Sequence, residues 1–212
     1  MMHRCKFLAQ ACGAAFVAAA CLVLPAQGDT LLSGFEGDLS SSAGPTWSTG
    51  LTHSYTAAGA TQGATAIQLT HGTGWTQNFT LDGGAVAPLI ATSDKFMLDA
   101  TVPATAEWRQ LFIVMQGAGL GWTTAGQFDL PSGATTAVSV DLVANGFKAA
   151  AAGGDQSWWQ VYLIFQGGDV GAPAQINTTI DNIRFAAVPE PATAALAIGG
   201  LIGVAACRRR RS

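Results

Sequence analysis

Two stretches decide how this chain folds. The first is Trp108-Arg109-Gln110-Leu111-Phe112-Ile113-Val114-Met115-Gln116-Gly117. The second, fifty positions on, is Trp158-Trp159-Gln160-Val161-Tyr162-Leu163-Ile164-Phe165-Gln166-Gly167. Each reads Trp, one variable residue, Gln, five largely apolar residues, then Gln-Gly. Short apolar runs rich in aromatic and branched residues and closed by glycine predict strands. Successive strand side chains point to opposite faces. Arg109, Leu111, Ile113 and Met115 then match Trp159, Val161, Leu163 and Phe165, an almost wholly apolar set that predicts a core face. Trp108, Gln110, Phe112, Val114 and Gln116 match Trp158, Gln160, Tyr162, Ile164 and Gln166, a set that mixes rings with amides.

Outward from these two strands the same grammar continues. Further strands are expected at 31–36, 47–55, 64–71, 75–81, 95–102, 127–130, 135–142 and 176–185, separated by Gly, Pro, Ser, Thr and Asp clusters. Ile67 and Leu69 alternate with Gln68 and Thr70; Phe96, Leu98 and Ala100 with Lys95, Met97 and Asp99; Val138, Val140 and Leu142 with Ser139 and Asp141. Many short strands at this spacing predict an all-β sandwich or barrel. No helical stretch is expected between the chain ends, since 149–152 is short and stops at Gly153-Gly154. In the last strand Ile176 and Ile180 have one parity and Ile183 and Phe185 the other, which predicts a bulge at Asp181-Asn182.

Composition narrows the function. Charged residues are 11% of the chain, against about 25% in an average protein, and 49% are hydrophobic, which argues against long disordered segments. The pI of about 5.4 excludes the basic footprint of a nucleic-acid binder. All four cysteines, Cys5, Cys12, Cys21 and Cys207, lie in the end segments, so residues 29–188 must hold together by packing alone. That region has four basic and twelve acidic residues, a net charge of −8, which favours cations over anionic polymers.

The two ends read as addresses. Arg4 and Lys6 precede an uncharged apolar stretch at 7–24 and then Ala26-Gln27-Gly28, the order of a secretory signal peptide over residues 1–28. An uncleaved N-terminal anchor is the alternative. At the other end Val188-Pro189-Glu190-Pro191 leads into sixteen uncharged residues, 192–207, and then Arg208, Arg209, Arg210 and Arg211. That stretch is just short of the ~17–25 residues of a membrane span, and the arginines would stay cytoplasmic. The tail resembles a PEP-CTERM sorting signal, the proposed substrate tag of exosortase in Gram-negative bacteria. The resemblance implies export across the inner membrane and a membrane-anchored precursor. It further implies processing by an exosortase-type membrane protease, and then a place at the cell surface or in the extracellular, exopolysaccharide-rich biofilm matrix. The two prolines keep the motif extended, as a protease substrate requires. A plain C-terminal anchor is the alternative.

The mixed face of the long strands suits a shallow sugar groove, because sugar C–H faces stack on flat rings and hydroxyls pair with neutral amides. The candidate contacts are Trp108, Gln110, Gln116, Trp158, Gln160, Tyr162 and Gln166. The alternative is that this face lies under a loop, with each amide satisfied internally. The domain edges, Ser33-Gly34-Phe35-Glu36-Gly37 and Thr179-Ile180-Asp181-Asn182-Ile183-Arg184-Phe185, resemble the first and last strands of jelly-roll carbohydrate-binding modules of the galactose-binding-like type. The resemblance implies an antiparallel jelly-roll β-sandwich at 29–187. It also implies a structural calcium on Glu36 and Asp181, an ion that takes six to eight oxygens.

Enzyme signatures are missing. His53 and His71 have no metal-binding spacing, no Gly-x-Ser-x-Gly elbow occurs, and the glycine-rich 117–121 precedes no helix. Glu107 and Asp129 are available carboxylates, but nothing in the sequence ties them together. The sequence therefore predicts a non-catalytic exported protein that binds exopolysaccharide. A matrix or adhesion subunit that binds protein is the alternative, and a small glycoside hydrolase or lyase the last.

Overall fold

The computed structural model describes residues 29–37, 39, 46–72, 78–82, 85–155, 157–169 and 176–187. The expected signal helix at 1–28, the membrane helix at 192–207 and the whole sorting tail lie outside these residues. Among the described residues, no helix is long and apolar enough to cross a membrane.

In chain order the strands are β1 (Thr30–Ser33), β2 (Thr46–Thr49), β3 (Thr52–Thr56), β4 (Ala66–His71), β5 (Asn78–Asp82), β6 (Lys95–Thr101), β7 (Ala106–Gly117), β8 (Leu120–Asp129), β9 (Thr135–Asp141), β10 (Trp159–Asp169) and β11 (Ile176–Ala186). Helix α1 (Val86–Thr92) links β5 to β6, and α2 (Phe147–Gly153) links β9 to β10. One sheet runs β3-β4-β11-β6-β9, with β1 also paired to β11; the other runs β2-β5-β10-β7-β8. Every pair is antiparallel. The chain passes repeatedly from one sheet to the other, and the result is a jelly-roll-like sandwich.

The repeated motif makes the centre of the second sheet. β7 and β10 lie side by side with Gln116 opposite Gln160 and Gln110 opposite Gln166. Their odd-numbered residues face inward as expected: Leu111, Ile113, Met115, Trp159, Val161, Leu163 and Phe165 are fully buried. Arg109 shares that face and is 2% exposed. Leu69, Phe96, Leu98, Val138, Val140, Ile180 and Phe185 meet them from the first sheet. Gly117 lies opposite Trp159 in the register, and any Cβ there would overlap the indole. Glycine at 117 is therefore what lets a buried tryptophan occupy the core.

The bulge in β11 is where the parity change placed it. The register with β6 shifts between Asp181 and Arg184, and Asn182 takes a left-handed φ of 54°. One extra residue thus lets Ile180, Ile183 and Phe185 all face the core.

Three expectations need correction. The run 47–55 is two strands in different sheets, β2 and β3. Gly50 interrupts it, and Thr49 Oγ1 accepts the Leu51 N–H at 2.9 Å to close the corner. The strand expected at 127–130 begins at Leu120, because Ala118 and Gly119 (φ 80°) alone make the hairpin turn. Helices do occur between the chain ends, at α1 and α2. Each is seven residues long, and each buries an apolar pair four positions apart, Val86 with Ile90 and Phe147 with Ala151.

Candidate functional site

The outer face of the second sheet carries the predicted amides, and strand register groups them into two clusters. At the β7–β8 hairpin end, Gln116 Nε2 donates to Gln160 Oε1 at 2.7 Å and to the Tyr162 hydroxyl oxygen at 2.7 Å. The Tyr162 hydroxyl in turn donates to Gln160 Oε1. The three side chains lock one another, so their geometry is set before any ligand arrives. Gln116 Oε1 and Gln160 Nε2 keep no other partner among the described residues. They are one acceptor and one donor left over from the triad's own hydrogen bonds. Trp122 of β8 packs its ring on Tyr162 with centroids 4.8 Å apart and planes at 44°, and is 51% exposed.

Trp122 was not among the sequence candidates. With a strand expected only from 127, Trp122 falls between the expected strands. A two-residue turn at Ala118-Gly119 pairs Gly117 with Leu120 and by itself would set Trp122 opposite Met115; the register shift between Met115 and Gly117 is what brings Trp122 to the outer face, and no local sequence signal marks it. Trp158 enters β10 at the same end and is 45% exposed.

The second cluster lies six residues back along β7, about 20 Å at the rise of a strand. Gln110 Nε2 donates to Asp129 Oδ1 of β8 at 2.7 Å. Gln166, opposite Gln110, has a buried Nε2 with no hydrogen-bond partner. A hollow of about 370 Å³ opens here, lined by Glu107, Trp108, Gln110, Asp129 and Ser132 among others. The structure therefore brings to one place the two carboxylates, Glu107 and Asp129, that the sequence left unconnected. Between the two clusters, Val114 and Ile164 are fully buried although they belong to the outer face. The face is thus polar and open at its ends and closed apolar in its middle.

Glu36 and Asp181 do converge, on one loop. Asp181 is fully buried, and its Oδ2 accepts the backbone N–H of Thr61 at 2.6 Å and of Gln62 at 2.7 Å. Glu36 Oε1 accepts the N–H of Ala64 at 2.8 Å and of Thr65 at 3.3 Å. The residues between β3 and β4 are thus pinned by two carboxylates, one just after the first strand and one in the last. Asp99, which sequence reasoning missed, joins them: its Oδ2 accepts the Thr61 hydroxyl at 2.6 Å and Asn182 Nδ2 at 2.9 Å. The left-handed backbone at Asn182 aims that amide. Phe35 (φ 52°) is likewise left-handed, with its ring buried 5.9 Å from Phe79, and it positions the neighbouring Glu36.

The fit of this region to a calcium ion rests on one atom. Asp181 Oδ1 is buried with no hydrogen-bond partner, a free carboxylate oxygen of the kind a hard cation takes. Among the described residues no group of three or more His, Cys, Asp or Glu side chains could hold a metal. Any ion here would have to draw on backbone carbonyls as well.

Comparison with known proteins gives two independent findings. Residues 187–211 match the PEP-CTERM protein-sorting motif. This signal marks export and exosortase-dependent processing at the membrane; its residues, Val188, Pro189, Glu190, Pro191 and Arg208 to Arg211, lie outside the described structure. No curated protein matches the sequence. Among solved structures the fold is similar to a xylan-binding domain, the family 22 carbohydrate-binding module formerly called x6b. That match has a TM-score of 0.53 at 14% identity and covers 78% of this chain and 99% of that one. It is also similar to the C-terminal family 22 module of Clostridium thermocellum Xyn10B, with a TM-score of 0.50 at 13% identity, covering 76% of this chain and 94% of that one. At these identities the likeness is one of fold: this chain has the jelly-roll sandwich of carbohydrate-binding modules.

Proposed function

We propose that the protein is an exported, non-catalytic glycan-binding protein. Its sandwich holds a polysaccharide at the cell surface or in the extracellular matrix of a Gram-negative bacterium. The domain scheme is a signal peptide at 1–28, the binding domain at 29–187 and the sorting signal at 188–212. The observation that carries the reading is the locked Gln116–Gln160–Tyr162 triad beside half-exposed Trp122. A sugar needs a flat ring for its C–H face and a fixed donor and acceptor for its hydroxyls, and this cluster supplies all of them without net charge. Because the triad is ordered by its own hydrogen bonds, binding does not have to immobilise it.

Gln110, Trp108 and Gln166 extend the face, and Trp158 flanks its hairpin end. The sorting motif supports delivery to the compartment where exopolysaccharide is found. The fold likeness supports the ligand class. A calcium ion on Asp181 Oδ1, with Glu36 and loop carbonyls, would stiffen the β3–β4 loop and take no part in sugar recognition.

The test is affinity electrophoresis of residues 28–187, which form a compact unit with its own core. Gels would contain xylan, mixed-linked β-glucan or the producer's own exopolysaccharide. Retardation by at least one polymer is expected, with loss in Trp122→Ala and in Gln160→Ala while both variants stay folded. Unretarded migration in every gel, together with concentration-dependent self-association, would replace this reading with that of a protein-binding matrix subunit. Released reducing ends would replace it with a hydrolase.

A further inference from the structure

The two ends of the outer face differ in charge. The Gln116–Gln160–Tyr162 triad is itself neutral, with one acidic residue, Asp82 of β5, opposite Gln160 in the register. The Trp108 end carries two carboxylates, Glu107 and Asp129, around one hollow. Neither forms a salt bridge among the described residues, and both side chains are exposed. Arg109 is the one basic residue in the lining, and it is 2% exposed and on the inward-facing register of β7. The lining thus sets two exposed carboxylates against one buried guanidinium, a net negative charge.

Its floor is also unusual. Gly168 lies opposite Trp108. A Cβ on Gly168 would sit 3.7 Å from Glu107 Oε2 and 3.8 Å from Trp108 Nε1. The carboxylate and the indole edge thus overhang the same bare stretch of β10, with no side chain between them. Trp108 is 50% exposed, so its ring is available to a ligand. Asp129 is fixed by Gln110 at 2.7 Å, which leaves Asp129 Oδ2 to a ligand.

We propose that this hollow takes the protonated amino group of an amino sugar. The polymer read by the face then contains glucosamine-type residues with free amines. The proposal rests on the glycan reading above and deepens it. The chemistry favours an ammonium over the alternatives. A cation next to an aromatic ring and a carboxylate gains both cation–π and charge-assisted hydrogen-bond energy. A bare divalent ion would need six or more oxygens, and an acidic sugar would be repelled. The hollow and the neutral triad lie on one face about 20 Å apart along β7, within reach of one oligosaccharide.

The experiment is isothermal titration of folded residues 28–187 with hexamers of glucosamine, of N-acetylglucosamine and of xylose, and with a lysine hexapeptide, in mildly acidic buffer. Proteins are the wild type, Glu107→Gln, Asp129→Asn and Gln160→Ala, each checked for folding by circular dichroism. The expected result is about tenfold tighter binding of the free-amine hexamer than of its acetylated twin. That preference should vanish in high salt and in the first two variants. It should persist in Gln160→Ala, where all glycan affinities fall together. Equal affinity for the two hexamers would overturn the amine site and leave the glycan reading standing. A folded wild type that binds no hexamer would overturn the amine site, and unretarded migration in every polymer gel would then overturn the glycan reading as well. A lysine peptide that binds as tightly as the amino-sugar hexamer would overturn the assignment to a sugar.

Discussion

Removing the carboxylate of Asp181 should loosen one loop by a predictable amount. In Asp181→Ala the backbone N–H groups of Thr61 and Gln62 lose acceptors at 2.6 and 2.7 Å. A hydrogen bond to a charged group contributes about 1.5–3 kcal/mol net, so two give about 3–6 kcal/mol. Thr61 is exposed and Gln62 half-buried, so both freed groups can turn to water, and the loss should fall near 3 kcal/mol. For a domain of this size each kcal/mol is worth about 2–4 °C, which predicts a fall in Tm of about 6–12 °C in the presence of chelator. Asp181→Asn keeps an acceptor oxygen but no charge, and neutral bonds are worth about half as much, so it should lie midway. Amide exchange localises the effect: protection at Thr61 and Gln62 should drop ahead of the rest of the domain. If a structural calcium is present, adding it should raise the wild-type Tm and leave Asp181→Ala unmoved. A Tm for Asp181→Ala within about 2 °C of wild type would refute the claim that this carboxylate holds the loop. A wild-type melting curve unchanged by chelator and calcium would refute the metal.

Two further outcomes follow from the backbone. Gly117→Ala places a methyl group inside the space of the Trp159 indole and should cost about 1–3 kcal/mol by overpacking, read as a lower denaturation midpoint with an unchanged slope. Asn182→Val forces a β-branched residue into a left-handed conformation and removes the 2.9 Å bond to Asp99; an urea titration should show a loss of at least about 1–2 kcal/mol.

Much of the fold was legible because period-two alternation is a local signal. The inward sets on β6, β7, β9 and β10 could be read residue by residue, and the parity break in β11 located its bulge. What failed was punctuation. Thr49-Gly50 and Ala118-Gly119 are both short breaks in apolar runs, yet one moves the chain to the other sheet and the other folds it back on the same one. Nothing local distinguishes them. α1 and α2 were missed because a seven-residue helix buries only two or three apolar side chains, too few to show a period. The candidate cluster was legible where it lies on the two repeated strands, which is why Gln116, Gln160 and Tyr162 could be set on one face from the sequence. Trp122, Asp99 and the pairing of Glu107 with Asp129 come from strand neighbours far apart in sequence, and single-chain periodicity carries no information about those.

The place of β11 in its sheet has a consequence for the order in which the sandwich can be completed. β11 follows the other ten strands in the sequence, yet it is the strand to which β1, β4 and β6 are all bonded. Until residues 176–186 are available, β1, β4 and β6 have no common partner and the first sheet cannot close. Contacts between β1 and β11 span nearly the whole domain, and such non-local pairing makes folding slow. The first sheet is therefore complete only once the chain's last strand, just ahead of the sorting motif, is in place. A chain cut before β11 would leave β1, β4 and β6 without their shared neighbour, while the β2-β5-β10-β7-β8 sheet would keep every one of its strands.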